Sequence, residues 1–254
     1  MANHAGGVER SNVAFKCNYC DGGAESGTVG FNGICSPEVM RYNVEHRTWC
    51  SGADCSCKKY LEGTIDREEL DKRFSCDDFG CYESVMLKEW TAKAGIYQNG
   101  ENKGKPMRLL KVQKNSLAIL TTRKPESPES MRFIFAVFLV DDASAGDEKQ
   151  EGYAKANLAS QWKIELTPQE ASMMLFWNYY ANENAPQLVE LKSGLFRYIS
   201  DNQAVQILRK IIAIKKQPNE KEFAQSFLNH FCALNGIDES AVPPPDGALV
   251  RTDG

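Results

Sequence analysis

The chain has 254 residues, 42% hydrophobic and 25% charged, globular proportions that exclude a fibrous or wholly disordered protein and allow one large domain or two modest ones. No run approaches the roughly twenty consecutive apolar residues of a membrane helix, and the opening MANHAGGVER lacks an apolar signal segment, so a cytoplasmic protein with no membrane partner is expected. The net charge of -4 argues against indiscriminate polyanion binding, but it is unevenly spread: between residues 101 and 125, Lys103, Lys105, Arg108, Lys111, Lys114, Arg123 and Lys124 face the single acid Glu101, a local charge of +6. Such a run reads as a solvated face or as a phosphate-contacting surface.

Along the chain, cysteine comes first. Cys17, Cys20, Cys35, Cys50, Cys55, Cys57, Cys76 and Cys81 precede residue 82, and only Cys232 follows. Most fall in close pairs, and a short loop lets two thiolates reach one tetrahedral ion at roughly 2.3 Å each. The intervening DGGAESG and SGADCSC offer little from which to build an apolar core. A zinc-stabilised module with one or two ions is therefore expected. Spacing alone does not separate zinc from an iron-sulfur cluster, and free structural thiols remain open; disulfides would be unusual in a reducing cytosol. Cys35, alone in GFNGICS, fits a buried thiol as well as a ligand, and His46 would then replace it. The surplus of thiolates points to closed structural sites and away from catalytic zinc.

A helix is expected over 66–74, capped by Asp66, and a second over 82–94. YQNGENKGKP then reads as a linker. MRLLKVQKNSLAILTTR predicts two strands, RFIFAVFLVDD a central strand covered on both faces, and QWKIEL another strand. Thr167 and Glu170 form a capping-box pattern before a helix predicted through PQEASMMLFWNYY. Further helices are expected from Ser200 or Asp201 to Ile214 and through NEKEFAQSFLNHFCALN to Gly236, followed by an extended or disordered tail.

Catalytic signatures are sparse: there is no GxGxxG, GxxxxGK[ST], GxSxG or HExxH, and the only histidines are His4, His46 and His230. Glu190-Leu191-Lys192 has the ExK form of metal-dependent nucleases, for which Asp141 or Asp142 would be the upstream acid; Pro186 and Gly194 suggest instead a loop. Aromatic residues crowd Trp162, Phe176, Trp177, Tyr179, Tyr180, Phe196 and Tyr198 together. Several must be core, but a surplus would suit a wall for a flat ligand such as an extruded base.

LAILTTR, RFIFAVFLVDD, FWNYYANENAP and SGLFRYISDNQAVQIL together resemble the EVE-like modules of the PUA superfamily that occur in modification-dependent restriction systems. The similarity covers about half the chain, from Trp90 to Lys216, and GICS and WCS look like an associated zinc module. The resemblance implies a small curved β-barrel with flanking helices and a pocket for a flipped methylated or hydroxymethylated base. It also implies a defence or restriction context; such readers are usually fused to a nuclease domain and no HNH pattern is visible here, so cleavage belongs to a separate nuclease subunit, or the Cys-rich region holds an unfamiliar catalytic site, or the protein is a reader alone.

The combined expectation is an α+β protein: a zinc module over 1–95, a PUA-like base reader over 96–217, and a C-terminal helix and tail over 218–254. Arg108, Lys111, Arg123 and Lys124 would contact phosphates. Trp90, Trp177, Tyr179 and Tyr198 would stack on the base, and Thr121, Thr122 and Arg197 would address its edge. A non-catalytic reader of modified duplex DNA is the favoured function. The alternatives are a nuclease using Glu190 and Lys192 and a zinc-module adaptor for protein partners.

Overall fold

In the computed structural model, residues 9–23, 33–47, 50–75, 82–192 and 194–251 are described. In chain order the elements are β1 (Asn12–Lys16), α1 (Pro37–His46), α2 (Ser56–Leu61), α3 (Arg67–Ser75), α4 (Tyr82–Glu89), β2 (Thr91–Lys93), β3 (Leu117–Thr122), β4 (Phe133–Leu139), β5 (Asp142–Ser144), β6 (Tyr153–Lys155), β7 (Lys163–Glu165), α5 (Pro168–Ser172), β8 (Phe196–Ile199), α6 (Asp201–Ile214) and α7 (Pro218–Asn235).

The core is built on FIFAVFL. All seven residues of β4 are buried, which a strand achieves only when both faces of its sheet are covered. Strand β4 lies between β3 and β7 in a five-stranded sheet of order β7-β4-β3-β1-β8. Removing side chains such as Phe135 and Phe138 from water contributes roughly 1.5–3 kcal/mol each. A smaller antiparallel sheet has the order β2-β6-β5.

The protein is thus α+β with an open sheet: among the described residues no ladder joins the edge strands β7 and β8, and no barrel closes. The expected N-terminal module also contributes to this sheet. Val13, Ala14 and Phe15 are buried, and β1 runs parallel to β3 and antiparallel to β8. A stretch preceding every cysteine therefore lies inside the sheet that the downstream sequence forms.

Other differences have local causes. The helix expected over 82–94 stops at Glu89, because Trp90 adopts a φ of 48° and turns the chain into β2. Before β3 the expected first strand is replaced by turns. The helix expected through FWNYY ends after five residues: the carbonyl of Met174 accepts from Ile134 N at 2.8 Å, and Phe176 N donates to the carbonyl of Arg132 at 2.9 Å. Those bonds tie the chain to the start of β4 and leave only a 3-10 turn at Phe176–Asn178. Helices α3, α6 and α7 begin and end close to the expected positions, with Ser200 and Gln203 forming a capping box and Gly236 ending α7 at a φ of 63°.

The tail is docked, not loose. Gly247, Ala248 and Leu249 donate backbone hydrogen bonds to the carbonyls of Asn178, Tyr180 and Trp177. The approach at Gly247 is so close that a Cβ would overlap the backbone of residues 177–179.

Candidate metal centre and nucleic-acid cleft

The Cys-rich segment wraps one small cavity. Cys20, Cys35, Cys50, Cys55 and Cys57 line it together with Tyr19, Met40, Asn43 and Glu83, and its volume of about 20 Å³ holds one water-sized guest. Helix α1 is set by the Ser36 hydroxyl, which accepts from Val39 N at 3.4 Å, and Cys55 is the residue that caps α2. Asn43 reaches from α1 to the carbonyl of Tyr19 at 2.7 Å, holding the loop that carries Cys20 against the helix.

The chemistry of these thiols is uneven. A hydrogen bond from the Cys57 side chain, aided by the backbone N–H groups of Cys57 and Lys58, lowers the pKa of Cys55 to about 6 despite its partial burial, favouring thiolate at neutral pH. Burial raises the pKa of the Glu83 carboxyl, and the nearby Cys55 raises it further. Burial likewise raises the pKa of Tyr19, reinforced by Asp21, Cys20 and Cys35.

Cys17 stands apart. It is buried, its Sγ lies 3.8 Å from Met86 Sδ, and desolvation drives its pKa far up, so it behaves as a packed neutral thiol. Cys35, the solitary cysteine of the sequence, lies on the cavity instead. His46 is exposed and stacked on Tyr42. Cys76 and Cys81 fall outside the described residues, as does His4.

Sulfur donors with one carboxyl, around a cavity of one-guest size, suit a thiophilic ion such as zinc. Ligation requires the side chains to close further, since among the described residues no three Cys, His, Asp or Glu groups are already placed to grip one ion.

A second, larger feature is a polar cleft of about 940 Å³. Lys111, Tyr180, Glu190, Lys192, Arg197 and Tyr198 are among its lining residues, and the docked tail adds Asp246 and Arg251. Strand β8 supplies Arg197 and Tyr198. The Tyr198 hydroxyl accepts from Lys111 N at 3.3 Å while Lys111 Nζ sits 5.7 Å from the ring centroid, so the basic stretch and β8 meet there. Arg197 donates to the carbonyls of Leu191 and Phe196, and Gly194 leaves the space its guanidinium occupies.

The other residues singled out in the sequence lie elsewhere. Trp177 and Tyr179 are core, with Trp177 fully enclosed against Phe176 and Tyr180. The buried hydroxyls of Thr121 and Thr122 donate to the carbonyls of Phe15 and Cys17 at 2.7 and 3.1 Å, joining β3 to β1 and its end. Trp90 is half-buried, edge-on to Phe138, with Lys163 Nζ 5.7 Å over its ring. Arg108 and Lys124 are exposed, and Arg123 is half-buried beside Glu129. Asp141 and Asp142 lie beside and in the small sheet, accepting from Asn157 N and the Tyr153 hydroxyl, and neither lines the cleft with Glu190 and Lys192. Tyr180, the one member of FWNYY among the cleft's lining residues, was legible only as part of the aromatic crowd.

No family model, curated protein or solved structure shows significant similarity to this chain. Among the described residues no helix is long and apolar enough to cross a membrane.

Proposed function

We propose that the protein binds nucleic acid and receives a modified, extruded base of duplex DNA in the cleft beside β8. The supporting observation is the meeting of Lys111, Arg197, Tyr198 and Tyr180 on one cleft of about 940 Å³, enough for a base with its sugar and phosphate. In this reading Tyr180 and Tyr198 offer rings for stacking, Arg197 offers donors to a base edge, and Lys111 neutralises a phosphate. Zinc, held by four of Cys20, Cys35, Cys50, Cys55 and Cys57, supplies folding energy to the Cys-rich segment and takes no part in recognition.

Titration of matched duplexes carrying an unmodified, methylated or hydroxymethylated base, at fixed salt, tests this proposal. Tighter binding of one modified duplex supports it, and equal affinity for all three refutes base reading.

The second reading is metal-dependent cleavage, favoured by the presence of Glu190 and Lys192 on the same cleft. Incubating modified duplex with magnesium or manganese decides it: cleavage abolished by Lys192→Ala supports a nuclease, and intact DNA leaves a reader whose cleavage, if any, comes from a separate nuclease subunit.

A further inference from the structure

We propose that Lys16, Arg47 and Arg123 form a contact patch for the sugar-phosphate backbone of the nucleic acid whose base enters the cleft. The proposal rests on the functional reading above and extends it to residues outside the cleft.

Three elements meet at this patch. Lys16 ends β1, Arg47 caps the C-terminal end of α1, and Arg123 follows β3. The Tyr42 hydroxyl on α1 accepts from Glu126 N at 3.3 Å, drawing the turn after Arg123 onto that helix, and the Arg47 guanidinium sits 5.5 Å from the centre of the Tyr42 ring. Lys16 Nζ donates to the carbonyl of Lys192 at 2.9 Å, and Lys192 lines the cleft, so patch and cleft share a rim.

Positive charge here exceeds what the fold neutralises. Glu129 is bound through both carboxylate oxygens by Arg132, which is 2% exposed, and its Oε2 is also 3.5 Å from Arg123 Nε. One carboxylate thus serves two guanidiniums. Lys16 and Arg47 have no ion-pair partner among the described residues, and Arg47 Nε is buried without a hydrogen bond. Glu126, the other acid of the turn, is exposed. Burial lowers the pKa of Lys16, and the guanidiniums of Arg132, Arg47 and Arg123 lower it further against the weaker pull of Glu129.

Partly desolvated cations crowded in this way repel one another, and an anion lying between them removes that cost. A phosphodiester fits because it brings one negative charge and several acceptor oxygens, and a strand leaving the cleft past Lys192 would meet Lys16 next. Neither Lys16 nor Arg47 belongs to the +6 stretch, so sequence alone gave no reason to add them to it.

The experiment is a salt series of binding to an unmodified duplex by the full chain and its variants. Lys16→Gln and Arg47→Gln should each reduce the slope of log affinity against log salt by about 1, and weaken modified and unmodified duplexes by the same factor. Lys16→Arg and Arg47→Lys should restore the wild-type slope. Unchanged slopes in both glutamine variants overturn the proposal. If Lys16→Gln fails to fold, judged by thermal melting, Arg47→Gln decides alone. Equal wild-type affinity for modified and unmodified duplexes defeats the base-reading proposal and leaves the patch to be judged by its slopes; wild-type protein that binds no duplex overturns both.

Discussion

Lys215 Nζ lies 3.0 Å from Glu170 Oε2, with side-chain exposures of 7% and 9%, joining the C-terminal end of α6 to the first turn of α5. Glu170 also accepts from Thr167 N at 2.9 Å in the capping box. One carboxylate therefore completes a helix start and anchors a neighbouring helix. Lys215→Ala should cost about 3 kcal/mol, because it strands a buried charge, whereas an exposed pair such as Arg67 with Asp71 is worth under about 1 kcal/mol. Urea unfolding of Lys215→Ala and Arg67→Ala measures the contrast.

The same pair sets an acid dependence. Burial opposes ionisation of Glu170, but the hydrogen bonds from Thr167 and Lys215 outweigh it and leave the pKa lowered in the folded protein. The unfolded chain therefore binds the proton more readily, so this stabilisation is full above the ordinary carboxylate range and is lost as pH falls through the depressed folded value. Glu170→Gln should flatten that part of a stability-against-pH curve measured by thermal melting.

At the cysteine cavity, metal analysis of protein purified without added chelator should find zinc. Cys20→Ser, Cys35→Ser or Cys50→Ser should lower both the zinc content and the melting temperature, whereas Cys17→Ser should keep the zinc, because that thiol packs against Met86 off the cavity. Loss of zinc in Cys17→Ser with retention in Cys35→Ser would reverse the assignment.

Within the aromatic crowd, core and cleft separate by their readouts. Trp177→Ala should destabilise the fold by about 3–5 kcal/mol, since the ring is fully buried. Tyr198→Ala should leave the fold largely intact and weaken binding of a modified duplex by about 1–3 kcal/mol. Melting curves and binding titrations of the same two proteins suffice.

The docked tail gives a further test. Gly247→Ala places a methyl group against the backbone of residues 177–179 and should cost about 1–3 kcal/mol while exposing the end of the chain to protease. Because Asp246 and Arg251 line the cleft, ligand affinity should fall with it.

Much of the scaffold was legible in the sequence because the signals are local. The apolar run of β4, the capping pair Thr167 with Glu170, the helix start at Ser200 and Gly236 after α7 each act within a few residues, and each is found near its expected place. The Cys-rich segment was expected to lack an apolar core, yet Val39, Met40 and Leu70 are buried there among the cysteines. Tertiary structure decided what depends on distant partners. FWNYY carries a helical pattern, yet hydrogen bonds to the start of β4 override it, burying Trp177 and Tyr179 and leaving Tyr180 on the cleft. Thr121 and Thr122 looked available until β1 and the residue beyond it took their hydroxyls. Cys17 and Cys20 are near neighbours in sequence, but Cys17 directly follows strand β1, which packs its thiol into the core, whereas Cys20 lies beyond the strand and reaches the cavity. Local chemistry wrote the elements and the positions of the cysteines; the pairing of β1 with β3 and β8 put the Cys17 thiol in the core and left Cys20 to line the cavity.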